Sequence, residues 1–231
     1  MNHISQLDPM QYFTQDFLDF FNELSRNNER DWFHANKKRY EKSVKEPFKA
    51  FVSDVIAAVG KVDPEVSIEA KDAIFRINRD IRFSKDKSPY KLHSSAVVSK
   101  YGRKDQAYPG LYLALSHEYM HVGGGCYMPP KEELWRLRDS IARDPKAFRK
   151  TIEDKAFKQY FGELKGDKNK VLPKEFKEAA ASEPYIFNKQ FYYMGDCAPA
   201  DILSDTLVAD VMKMHKAALP YQRWMLESMA D

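Results

Sequence analysis

Cysteine is scarce. Cys126 and Cys197 are the only two among 231 residues, and they show no C-x-x-C spacing. That excludes the disulfide framework of a small secreted domain and reads as two free thiols in a reducing compartment. Long apolar runs are missing as well: no stretch reaches the ~18 residues a membrane span needs. Met1 to Gln15 has no basic segment followed by an apolar run, so no signal peptide is expected. The expectation is a cytoplasmic protein with no membrane partner. The phosphate-cradling forms G-x-x-x-x-G-K-[ST] and G-x-G-x-x-G are absent, as is the nucleophile elbow G-x-S-x-G. No repeat or low-complexity tract appears, and no linker forces a boundary, so residues 1–231 are read as one domain.

What is present fits a packed interior. Hydrophobic residues make up 43% and aromatics 13%, a balance that argues against disorder. Phe17, Leu18, Phe20, Phe21 and Leu24 recur at the spacing of one helix face. A second helix carries Trp32, Phe33, Asn36, Tyr40 and Val44, and Pro47 is read as a new helix start. Trp32, Asn36 and Tyr40 are assigned to packing, and Arg30 and Lys37 to a solvated face. From about residue 68 the pattern turns to short β-forming runs: Ala73–Asn78, Ile81–Phe83, Ser94–Tyr101, Leu111–Ser116 and Tyr119–Tyr127. Turn signals separate them, which suits an antiparallel meander. Pro129-Pro130 closes it. The last third reads as helical again, with Tyr185–Met194 as a further strand candidate. Ser204-Asp205 caps one late helix and Pro220 opens a final one. The fold class expected is α+β, an antiparallel sheet over about residues 68–127 packed by N-terminal and C-terminal helices.

Charge is concentrated. Segment 74–91 holds Arg76, Arg79, Arg82, Lys85, Lys87 and Lys91 against Asp80 and Asp86, a net of +4. The whole chain carries +3, so the rest sums to −1. A focused positive field favours an anionic partner. Arginine forks match carboxylate and phosphate oxygens with two parallel hydrogen bonds. The ligand-binding candidates are therefore Arg76, Arg79, Arg82, Lys87 and Tyr90, with Asp80 and Tyr90 as candidates for proton transfer. The competing reading is structural, with these arginines paired to acids nearby.

The string R-x-x-R-D-x-R-F-x-x-D-K-x-x-Y is carried by Arg76, Arg79, Asp80, Arg82, Phe83, Asp86, Lys87 and Tyr90. It resembles the signature of a mostly bacterial family, the domain of unknown function numbered 2461. NNERDWFHANKKRYEKSVKEPF, residues 27–48, resembles that family's N-terminal region, and the glycines at 123–125 resemble its middle. The resemblance implies a cytosolic single domain and supplies no reaction.

His117, Glu118 and His121 spell H-E-x-x-H. A zinc protease needs those histidines one helical turn apart. Here the string follows the strand-like LYLALS and runs into glycines. In a strand its histidines would lie about 13 Å apart, at about 3.3 Å per residue. No metal or other cofactor is expected, and His117 and His121 remain only weak candidate ligands. Gly123–Gly125 reads as a strand end or bulge. Four functions are carried forward: binding of a small anionic ligand, with or without catalysis; a nucleic-acid module using Phe75, Phe83 and Tyr90 as stacking surfaces; a zinc hydrolase; and a scaffold.

Overall fold

The computed structural model describes residues 10–104 and 108–230. Helix α1, Gln15–Arg26, buries the whole apolar stripe that the sequence marks, from Phe17 to Leu24. Each large side chain so buried contributes roughly 1.5–3 kcal/mol. Helix α2, Arg30–Ala35, and helix α3, Lys37–Tyr40, follow. Trp32 and Tyr40 lean on Phe20, each with ring centroids 5.6 Å away. Helix α4, Glu46–Gly60, buries Phe48, Phe51, Val52 and Val55.

The sequence places a fresh helix start at Pro47. The structure instead runs α3 into α4 through a π turn, Glu41–Lys45. Proline lacks the N–H and crowds the carbonyl four residues back, here that of Ser43. Widening the preceding turn accommodates both without stopping the helix. Pro220 likewise lies inside one helix, Leu207–Ala230, rather than opening a new one. Met214, Ala218, Tyr221 and Met225 form a buried stripe across it. Tertiary packing holds the two halves in line despite the lost bond.

The sheet has four antiparallel strands in sequence order: β1, His93–Val98; β2, Gly110–Ser116; β3, Met120–Cys126; and β4, Phe191–Cys197. Two expected runs are not strands. Residues 73–83 form the end of a short helix, α5 (Ala70–Ala73), and then irregular chain. The chain there lies beside the segment that leads into β1, and that facing segment is bulged. Ile74 bridges Ala96 and Asn78 bridges Tyr90, so four steps on one side oppose six on the other. A continuous ladder cannot form across that mismatch. The sheet therefore starts at His93, and its fourth strand comes from the last third, after a 3₁₀ turn at Pro184–Phe187.

Residues opposite one another in a ladder share a face. Leu113, Val122 and Gly195 form one row, on the face that meets the helices. There α4 packs on β1, while α8 (Lys155–Phe161) packs on β4. The last helix, α10 (Leu207–Ala230), follows α6 (Lys131–Arg143), α7 (Pro145–Ile152) and α9 (Lys177–Ser182), and packs against α4, α6, α7, α8 and β3. A Cβ on Gly195 would collide with Met214 of α10 and Tyr160 of α8. Ala114, His121 and Asp196 form a row on the opposite face, which no helix covers so closely and where His121 is half-buried. No helix among the described residues is long and apolar enough to cross a membrane.

Candidate functional site

The basic segment is an irregular hairpin beside β1. Phe75 donates its N–H to Ser95 at 2.9 Å, Lys91 to Ile77 at 2.8 Å and Arg79 to Pro89 at 2.9 Å. At its base, Tyr90 turns inward. Its ring is 5% exposed and stacks on Phe33 with centroids 4.0 Å apart. Asn28 holds its backbone from both sides, accepting from its N–H at 3.1 Å and donating to its carbonyl at 3.0 Å. The two segments that carry the family resemblance thus meet at Tyr90. This explains the tyrosine by packing rather than by ligand contact.

At the tip the cations are held by the loop itself. Arg79 pairs with Asp86. Arg82 forks onto Asp80 at 3.0 and 2.7 Å. Lys87 donates to the Ile81 carbonyl at 2.9 Å. Hydrogen bonds from Arg82, side chain first and then backbone, draw Asp80 down to about 2. Ser88 and then Arg79 draw Asp86 well below the ordinary carboxylate range. Arg76 is exposed and makes no ion pair or hydrogen bond among the described residues. The structure therefore engages three of the four cationic candidates separately, within their own loop, and buries Tyr90.

A concave region lies on the sheet face away from the helices. A cavity of about 470 Å³ is lined there by Phe75, Val97, Tyr112, Tyr127, Tyr192 and Met194, with Tyr108 and Arg103 also on its wall. Tyr127 and Tyr192 meet edge to face at 5.3 Å. Burial pushes the Tyr112 hydroxyl up from its ordinary value, so the phenol stays protonated. The guanidinium of Arg103 is held by the Lys71 carbonyl. The glycines make this wall possible. Gly125 has φ +94°, and a Cβ on it would strike the Phe191 carbonyl of β4. A Cβ on Gly123 would strike Met194.

Beside the cavity stands Lys91. Its ammonium lies 5.1 Å from the centroid of Phe75, a cavity-lining ring. It makes no ion pair or hydrogen bond among the described residues. Burial first, and Arg76 second, lower its pKa. Two cations thus sit near enough to repel one another. Further along the same face, His93, Tyr119, His121 and Asp196 are linked by short contacts.

The H-E-x-x-H string spans the three-residue turn between β2 and β3. His117 approaches Ser116 at 3.4 Å and Glu118 at 3.9 Å, whereas His121 meets Asp196 at 3.1 Å. Among the described residues no three His, Cys, Asp or Glu are grouped to hold one metal.

Sequence reasoning named Lys91 only as part of a charge count and missed His93, Tyr112, Tyr119 and Asp196. The available signal was period-two alternation: His93, Tyr112 and His121 all fall on one face once the strands are paired. Asp196 had no such signal, because it lies on β4, 70 residues past β3's end.

A family model described as a conserved hypothetical protein, DUF2461, matches residues 16–224. No curated protein matches the sequence.

Proposed function

We propose that this chain, which belongs to the DUF2461 family, binds a small anionic ligand with a flat apolar body on the open face of its sheet. The observation that carries the reading is Lys91, a half-buried ammonium with no acidic partner among the described residues, set against a ring of a tyrosine-rich cavity. Leaving such a charge partly out of water costs free energy unless an anion joins it. The cavity falls within the size range of small-molecule sites, and aromatic walls with few polar groups suit a ring-bearing ligand. A carboxylate or phosphate would sit at Lys91, with Arg76 adding positive field. The basic hairpin contributes through its base rather than through a clamp of Arg79, Arg82 and Lys87.

Calorimetric titration with phenyl phosphate and with inorganic phosphate tests this. The phenyl compound is expected to bind the more tightly, and Tyr112→Ala to weaken it at least about tenfold while leaving inorganic phosphate unchanged. Equal affinity for both compounds would refute the cavity's part.

One observation favours a second reading, a single-stranded nucleic-acid platform. Phe83 at the loop tip is 96% exposed, with the Arg82 guanidinium 5.9 Å from its ring centre. Exposed aromatics beside cations stack on bases. Affinity for oligonucleotides that falls steeply with salt and with Phe83→Ala would support it; no binding at low salt would end it.

A further inference from the structure

Four proton-carrying side chains on the open face take no part in the binding reading. Asp196 Oδ1 stands 3.1 Å from His121 Nε2. The His121 ring lies flat on Tyr119, with centroids 4.0 Å apart and planes within 15°. The Tyr119 hydroxyl reaches His93 Nδ1 at 3.1 Å. His93 belongs to β1, Tyr119 to the β2–β3 turn, His121 to β3 and Asp196 to β4, so the sheet itself sets their spacing. Between the two histidine strands, β2 presents only Ala114 beside His121 and Ser116 beside His93.

Donor chemistry assigns the protons. A phenol donates to a neutral imidazole, so His93 Nδ1 accepts and its Nε2 carries the hydrogen. A carboxylate only accepts, so His121 Nε2 donates to Asp196 and its Nδ1 keeps a lone pair. One histidine is thereby left as a base oriented by a carboxylate, and the other as a neutral donor oriented by a phenol.

We infer that His121 and His93 form an acid–base pair for proton transfer at a carbon beside a carbonyl, with a small ring-bearing keto acid as the substrate class. The inference rests on the binding reading above, which places the carboxylate at Lys91. His121 Nδ1 removes the proton from the carbon. The C–H electron pair becomes the new C–C π bond, and the carbonyl π pair moves onto oxygen as an enolate. The Nε2–H of His93 hydrogen-bonds that oxygen as its charge develops. The imidazolium of His121 then returns a proton, to oxygen to give the enol or to carbon to restore the ketone. No oxidant, metal or co-reactant is consumed. The surroundings suit these roles. Burial, then Lys91 and His121, holds His93 down to about 4. Burial lowers His121, opposed by Asp196 and reinforced by Lys165. Both rings are neutral at neutral pH, as a base and an uncharged electrophile must be.

Phenylpyruvate supplies the ring, the carboxylate and an acidic C–H beside a ketone. Deuterium uptake at its methylene carbon in D₂O, followed by NMR, reads the transfer directly. With wild type, uptake is expected at about 100-fold or more above buffer, the usual worth of a positioned base. His121→Asn is expected to remove most of that gain while calorimetric binding of phenylpyruvate changes by less than about twofold. His93→Gln, which keeps a neutral N–H, should retain more activity than His93→Leu. The rate should rise with pH through a pKa below the ordinary 6.5 of histidine and then level off. Asp196→Asn, on an exposed residue, should move that pKa lower still, because the carboxylate is what raises it. Phenylpyruvate that binds without uptake above buffer, or uptake undiminished in both His121→Asn and Asp196→Asn, overturns the proton-transfer role and leaves the binding reading standing. Absence of phenylpyruvate binding overturns the proton-transfer role, and absence of phenyl phosphate binding as well overturns both.

Discussion

The basic hairpin tip and the open sheet face are neighbours with opposite electrostatics. At the tip, residues 79–87, Arg79, Arg82 and Lys87 each have a partner within the loop. Exposed pairs of this kind contribute little to stability and leave little unmet demand for an anion. On the face, Lys91 has no ion pair among the described residues, His93 is held neutral, and the ring of Phe75 beside Lys91 lines a cavity. On the proposed reading, the difference teaches that charge density along a sequence is a poor guide to a site. Whether partners already satisfy the charges decides, and so does how far water is excluded from them.

Several substitutions would sharpen or break this contrast. The largest effect is expected at Tyr90, which belongs to the hairpin by sequence and to the core by packing. Tyr90→Ala should cost about 3–5 kcal/mol in urea unfolding, in the range of large aromatic truncations; a loss small enough to match a surface site would mean that the tyrosine is not a packing residue. Next comes acid sensitivity. The folded pKa of His93, about 4, lies below the ordinary 6.5, so the unfolded chain binds the proton first. Stability from His93 is then complete above pH 6.5 and is lost as pH falls toward 4, by on the order of 3 kcal/mol. Denaturation of wild type and His93→Gln at both pH values measures it, and equal acid losses in the two would contradict the assignment. Asp80, drawn down to about 2, gives a contribution that is present above 3.8 and fades as pH falls through 2, so the tip should be silent across the histidine window. Third, Lys91→Met should weaken phenyl phosphate binding at least about tenfold, near 1.4 kcal/mol. Smallest is Arg79→Ala, expected to change that binding less than about twofold. The reverse ranking of the last two would place the anion site at the tip.

The helical ends of the fold were legible because buried stripes such as Phe17 to Leu24 repeat with the helix period. Proline was misread at both Pro47 and Pro220. A missing donor marks a break only where nothing else holds the helix, and here a π turn and core packing do so. The hairpin's alternation was taken for strand, but a bulge between Tyr90 and Ala96 on the facing segment spoils the register, and single-sequence patterns do not show register. H-E-x-x-H drew attention to His121 for a metal role, yet its neighbours across the ladder are Ala114 and Asp196. Asp196 could be placed beside it only once β4 was known to pair with β3. The glycines at 123–125 were read as a strand end or bulge. They lie within β3, where two of them make room for Met194 and the backbone of β4.

Backbone amide NMR during titration with phenyl phosphate tests the central claim most directly. Shifts should cluster at Lys91, His93, Tyr112, Gly125 and Tyr192, around the open-face cavity, with Arg79 to Lys87 moving little. Shifts concentrated at Arg79, Arg82 and Lys87, with the sheet face unmoved, would contradict it.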